Sequence, residues 1–233
     1  MQADRKSLLF LNIGHALDHL FLLIYPTVVL AMSPEFGRSY SELLPLALGG
    51  FIAFGAGSLP AGWLADRWSR RGMMIVFFIG IGAASILTGF AQSPWQIAAA
   101  LTLLGLFGAI YHPVGIAMLV SGREKVGKVL GVNGVWGNLG VAFAALIAGA
   151  LAYWISWRAA FIVPGLVSIA IGIVFAATVP SRPGRKRGWA AREADFPAGC
   201  WCASLPSSRS PRCSAASSSI PPRSPCRRSS TSA

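Results

Sequence analysis

One aspartate and three histidines are the residues whose types and spacing suit chemistry in this chain. His15, Asp18 and His19 fall inside one apolar stretch and His112 inside another. His15 and His19 are four apart and share a helix face, while Asp18 is three from His15 and next to His19. At about 1.5 Å per residue, Asp18 lies about 15 Å and His15 about 10 Å inside the start of the first stretch. His112 is about seven residues from the inner end of its own stretch, so it is also about 10 Å deep. Ionisable groups at that depth are costly in hydrocarbon and mark functional sites. An aspartate among imidazoles suits proton exchange. Burial opposes the ionised carboxylate, imidazolium neighbours favour it, and the balance moves with hydration. The same groups also suit hydrogen bonding across a helix interface, since buried polar groups need partners.

The elements that hold these residues are spanning helices. Apolar residues make up 54% of the 233-residue chain and charged ones only 12%. The mean hydropathy is +0.59, a balance suited to lipid. Apolar runs cover 8–31, 43–64, 73–90, 95–119, 129–155 and 161–179. Each is close to the ~20 residues that cross a bilayer as a helix. The first is too long for a signal-peptide core, and no run shows the alternation of a barrel strand. The fold class is therefore an all-α integral membrane protein, with six transmembrane helices in a domain of residues 1–180.

Basic residues set the orientation. Arg5 and Lys6 precede the first run, Arg67, Arg70 and Arg71 follow the second, and Arg123, Lys125 and Lys128 follow the fourth. The loops on the other side carry only Arg38 and Arg158. Both ends are thus expected in the cytoplasm. Trp95, Tyr153, Trp154 and Trp157 fall at expected outer boundaries and Trp68 at an inner one, as in an aromatic belt.

Residues 181–233 differ in kind. They hold ten Lys/Arg against two Asp/Glu, whereas residues 1–180 hold ten against six. The sequence pI of about 10.6 therefore owes most to this tail and does not indicate a nucleic-acid partner. All four cysteines lie there, and Cys200 and Cys202 are too sparse for a metal site. A Ser-, Pro- and Arg-rich stretch with no apolar run is expected to be disordered, and its abrupt onset reads as an out-of-frame translation.

Small residues recur every fourth position in the second run, at Gly49, Ala53, Gly57, Ala61 and Ala65, making a ridge for close helix packing. In the fifth run Gly131, Gly134, Gly137 and Gly140 are three apart, with Asn133 and Asn138 between them. Tyr111-His112-Pro113 and Tyr25-Pro26 put prolines inside the fourth and first runs, where helices kink.

The turn after the second run reads Gly62-x-Leu64-x-Asp66-Arg67-x-Ser69-Arg70-Arg71. It resembles the signature of the major facilitator superfamily, with Ser69 in place of the second glycine. The resemblance implies the N-terminal half, a 3+3 inverted repeat, of a twelve-helix transporter. It further implies that the first and fourth helices line the central cavity, bringing His15 and His112 together. It gives the charged turn a role in latching the inner face against the opposite half. His15-x-x-Asp18 leading to Tyr25-Pro26, Tyr111-His112-Pro113, and Gly137-Asn138-Leu139-Gly140 look like the fosmidomycin-resistance-type branch of proton-driven drug exporters. Leu101 stands near the place of an arginine common in antiporters, and Ala144-Ala145 replaces their fifth-helix Gly-Pro. Both departures bear on transport direction rather than on fold.

The expected proton-coupling and cavity set is His15, Asp18, His19, Tyr25, Tyr111, His112, Asn133 and Asn138. The cytoplasmic gating set is Gly62, Asp66, Arg67, Arg70 and Arg71, with kinks at Pro26 and Pro113. The reading is a truncated, proton-coupled exporter of small molecules in the bacterial inner membrane. It is not an enzyme and takes no cofactor or metal. Its partners are substrate, protons, the lipid bilayer and a missing C-terminal six-helix half. The alternatives are an inactive remnant of a frameshifted gene and a membrane metalloprotein using the His/Asp cluster, for which three histidines are few. The orientation has a direct test. A reporter active only in the cytoplasm should work when fused after Ser69 or Lys125 and be silent near Gln92 or Ser156; the reverse pattern overturns it.

Overall fold

Backbone amides have no water to bond with inside a bilayer, so an isolated apolar run crosses it only as a helix. The computed structural model describes residues 2–123 and 125–180, and the side chains from Arg5 onward. The segment 181–233, expected to be disordered and out of frame, lies outside the described residues. Six helices long and apolar enough to span form among the described residues, and no strand does. They are α1 (Gln2–Phe36), α2 (Tyr40–Arg67), α3 (Arg70–Gly89), α4 (Pro94–Val120), α5 (Val126–Trp154) and α6 (Trp157–Thr178).

Most of the helices outrun their apolar cores because short polar loops cap them. Ser69 accepts from the Gly72 amide, Ser93 from Gln96 and Ser156 from Ala159, so three of the helix starts are fixed by serine hydroxyls. α2 begins with one turn, Tyr40–Leu43, followed by a tight 3-10 turn over Leu44–Ala47.

The helices pair α1 with α5, α2 with α4, and α3 with α6. Exchanging the first three helices with the last three maps this pattern onto itself. The α3–α6 contact shows the relation residue by residue. Ser85 donates to the Phe161 carbonyl at 2.7 Å, and Ser168 donates to the Phe78 carbonyl at 2.8 Å. A Cβ on Gly82 would lie 2.6 Å from the Gly165 carbonyl, and one on Gly165 would lie 2.8 Å from that of Gly82. One sequence separation relates Ser85 to Ser168, Phe78 to Phe161 and Gly82 to Gly165. An inverted repeat therefore has its two-fold relation inside this helix pair.

The other two pairs also meet at missing side chains. A Cβ on Gly105 would come 2.0 Å from the Gly50 carbonyl, joining α4 to α2, and one on Gly140 would come 2.1 Å from the Ala16 carbonyl, joining α5 to α1. The ridge on α2 buries Gly57, Ala61 and Ala65 as expected, yet Gly50 rather than Gly49 meets backbone. On α5 only Gly137 and Gly140 pack; Gly131 and Gly134 face open space within 4 Å.

The two prolines differ in local structure, and one member of the aromatic belt needs correction. Of Pro26 and Pro113, only the second lies in an irregular turn, the π turn over Tyr111–Gly115. α1 runs through Pro26 without interruption, and Thr27 donates its hydroxyl to the Leu23 carbonyl at 2.7 Å beside it. Trp157 does not join the belt. It is buried and donates its indole N–H to Glu35 at 2.7 Å, while Trp95, Tyr153, Trp154 and Trp68 are exposed.

The close approach of α5 to α1 predicts that Gly140→Ala destabilises the helix bundle by about 1–3 kcal/mol, the usual cost of overpacking. Gly131→Ala should be neutral or slightly stabilising, since alanine favours helix and nothing crowds the site. Thermal denaturation of the two variants in detergent checks this, and equal effects would contradict the packing.

Candidate functional site

The polar cluster forms where α1, α4 and α5 meet. α1 presents Asn12, His15, Asp18 and His19 along one side, the π turn of α4 presents Tyr111 and His112, and α5 presents Asn133. Asn133 ties the three together. Its amide donates to Asn12 Oδ1 at 3.0 Å and to the Tyr111 hydroxyl at 2.9 Å. Its backbone carbonyl bonds His15 Nδ1 at 2.8 Å. The Tyr111 hydroxyl in turn donates to the Leu11 carbonyl at 2.7 Å. The His15 ring stacks on Tyr111 with centroids 5.0 Å apart, in a space that a Cβ on Gly137 would fill.

Because Nδ1 of His15 is paired with a carbonyl, it carries the proton, and Nε2 keeps its lone pair. That Nε2 is 3.1 Å from Nε2 of His19. The His112 ring stands edge-on to both, at 5.4 Å from His15 and 5.8 Å from His19. His15 and His112 therefore meet, as their depths in the sequence suggested.

Asp18 is the least satisfied member. It is fully buried, and neither carboxylate oxygen has a hydrogen bond among the described residues. The His112 imidazole faces it, with Nε2 at 3.4 Å from Oδ2, beyond the usual hydrogen-bond length. Gly108 lies close beside it, where a Cβ would come 3.3 Å from Oδ1. An ionised carboxylate buried with one distant partner costs several kcal/mol.

Two of the expected residues are not in the cluster. Tyr25 is buried elsewhere and donates to the Leu43 carbonyl at 2.6 Å, tethering α1 to the start of α2. Asn138 is exposed on another face of α5. Asn12 was missed by sequence reasoning, although its place three residues before His15 puts it on the same helix face.

Comparison with known proteins bears on this arrangement. The pattern of the Major Facilitator Superfamily matches residues 11–224. The chain belongs to this superfamily. A probable 4-methylmuconolactone transporter of Cupriavidus pinatubonensis is 31% identical over 169 residues, 68% of this chain and 39% of that protein. Multidrug resistance protein MdtG of Yersinia enterocolitica is 35% identical over 111 residues, 47% of this chain and 27% of that protein. A bacterial homologue of the human lysosomal transporter Spinster, solved facing inward and unoccupied, superposes with a TM-score of 0.68 at 17% identity, covering 80% of this chain and 44% of its own. The chain thus spans less than half the length of these relatives, and it is a multi-pass membrane protein of the superfamily by descent and fold.

The superfamily's signature turn joins α2 to α3. Gly62 lets α2 pass close to Pro113, where a Cβ would lie at 3.3 Å. Asp66 accepts from Arg70 at 2.8 and 3.1 Å, in an exposed pair one helical turn apart. Arg67 lies over the Trp63 ring at 4.2 Å. Arg71 differs from the other three: it donates to the carbonyls of Ala176 and Val179, the last of which α6 leaves unpaired. At the opposite end Arg158 does the same for α3, reaching the Gly89 and Ala91 carbonyls at 2.9 and 2.8 Å while pairing with Glu35. Each arginine sits two residues after its capping serine, Ser69 or Ser156. The sequence had offered Arg158 only as a loop charge and Arg71 only as a member of the signature turn.

Since Arg71, alone among the arginines of this turn, closes a neighbouring helix, Arg71→Gln should lower the melting temperature in detergent more than Arg70→Gln, which loses only an exposed pair. Equal losses would mean that the carbonyl bonds contribute little.

Proposed function

We propose that this chain is the N-terminal half of a proton-coupled exporter of small, drug-like molecules in a bacterial inner membrane. Its assignment within the superfamily is to the fosmidomycin-resistance-like branch, with both termini cytoplasmic. The observation that carries the reading is Asp18, a buried carboxylate without a hydrogen bond among the described residues, 3.4 Å from a histidine. The names of two relatives, a lactone transporter and a multidrug resistance protein, support a small organic cargo.

The chemistry proposed is proton exchange between Asp18 and its surroundings. A protonated Asp18 is neutral and comfortable in an apolar site; an ionised one needs His112, from α4, or His19, beside it on α1, to be imidazolium. His15 and Tyr111 are the other titratable groups facing the cluster. Loading and losing the proton would then favour different degrees of hydration, hence different openings of the cavity.

The partners in this reading are the substrate, protons, the lipid bilayer and a second six-helix half. α2 and α5 fit the last: their apolar windows are only 22% buried, against 61% for α3, which leaves faces for a second half or for lipid to cover. Rocking of one half against the other supplies alternating access in such folds. The signature turn, with Asp66, Arg67 and Arg70 exposed, is proposed as the inner-face contact between halves.

In the assembled twelve-helix transporter, Asp18→Asn should abolish export driven by a pH gradient while leaving membrane insertion and thermal stability intact. His112→Gln should shift or broaden the pH dependence. Flux into inverted vesicles with an imposed gradient measures both. Wild-type pH dependence in the two variants would reduce the cluster to structural hydrogen bonding.

A further inference from the structure

The three imidazoles of the cluster have a second capacity that proton exchange does not require. We infer that His15, His19 and His112 form a binding site for one divalent transition-metal ion of the zinc, cobalt or nickel type, with Asp18 as its outer counter-charge.

One ligand nitrogen from each histidine lies within 4.8 Å of the others. Zinc–imidazole bonds of about 2.0–2.1 Å place neighbouring nitrogens of a tetrahedral site about 3.4 Å apart. The His15 and His19 nitrogens, at 3.1 Å, already have nearly that spacing. Two histidines four apart on one helix are a recurrent metal-binding pair, because both rings project from one face. His112 enters from α4, so the ion would bridge two helices.

His15 is held as metal-ligating histidines usually are. A ligating imidazole commonly gives its other nitrogen to a carbonyl or carboxylate, which fixes the tautomer and strengthens the ligand. His15 bonds the Asn133 carbonyl through Nδ1 at 2.8 Å, leaving Nε2 toward the site. His112 has Nε2 3.4 Å from Asp18 Oδ2, so the carboxylate lies beside its ring. The second, independent sign is Asp18 itself, fully buried, its two oxygens without hydrogen bonds among the described residues and beside the triad. A cation held by the imidazoles supplies the positive charge that this carboxylate lacks. The proton between His15 and His19 passes to His19 Nδ1 on binding, and the fourth ligand position is left to water. Nitrogen ligands favour ions of this class over magnesium or calcium. Such an ion pins α1 to α4 and competes with protons for the same nitrogens.

Cobalt(II) tests the site without any transport assay. The four tail cysteines are first changed to serine, so that thiolates cannot bind the probe. The full-length protein in detergent is then titrated with Co²⁺ at fixed pH. One equivalent should bind with the intense visible absorption of a four-coordinate site. His19→Ala and His112→Gln should each abolish that absorption. Asp18→Asn should weaken binding about 10–100-fold, as loss of an outer partner does. His19→Cys should restore binding with a thiolate-to-cobalt charge-transfer band, which shows that a folded variant is being measured and that the side chain touches the ion. The inference is overturned by absence of visible absorption at saturating Co²⁺, by binding indifferent to the histidine substitutions, or by His19→Cys without a charge-transfer band. Proton coupling stands or falls separately, on the pH-gradient assay.

Discussion

A polar group in the middle of a bilayer must find its partner within the protein, because lipid offers none. Asp18 does not fully meet that condition, and the surrounding structure can be understood as what makes its position tolerable. Gly108 gives it space, His112 stands nearby, and Asn133 fixes the rings of its neighbours by bonding Asn12, Tyr111 and His15. The π turn over Tyr111–Gly115 contributes as well. It points Tyr111 into the core and leaves His112 half-exposed beside the carboxylate. A helix without that irregularity would distribute these two side chains differently around its axis.

The α3–α6 pair is tied together by reciprocal contacts. Serine-to-carbonyl bonds cross it in both directions, glycines face glycines, and an arginine closes the carbonyl end of each helix. Phe78 and Phe161, whose carbonyls accept these bonds, are fully buried. The pairs α1–α5 and α2–α4 flank this centre through backbone contacts at Gly140 and Gly105. Small residues at helix crossings are how membrane proteins pack helices when lipid competes equally for apolar side chains.

The histidines join the two roles assigned to the site. Protons and transition-metal ions seek the same nitrogen lone pairs, so a cluster shaped for one is open to the other. Asp18 serves both as the buried negative charge that either cation would neutralise.

The sequence alone determined the six spans, because a run of about 20 apolar residues leaves the backbone only one way across lipid. It also located His15, Asp18 and His112 at similar depth, since helical rise is constant, and it picked out the signature turn by its charges. What it could not determine was direction around each helix axis. Tyr25 and Asn138 share the chemistry of Tyr111 and Asn133, yet one bonds the start of α2 and the other faces outward. Pro26 and Pro113 share a ring, yet only the second sits in a break. Arg71 read as part of the signature turn and Arg158 as a loop charge, yet each ends a neighbouring helix, α6 and α3. These outcomes depend on which helix comes to lie against which, and that choice is made by shape at glycine contacts spread over residues far apart in the chain. Hydropathy records how deep a residue lies; only the tertiary packing decides what it faces.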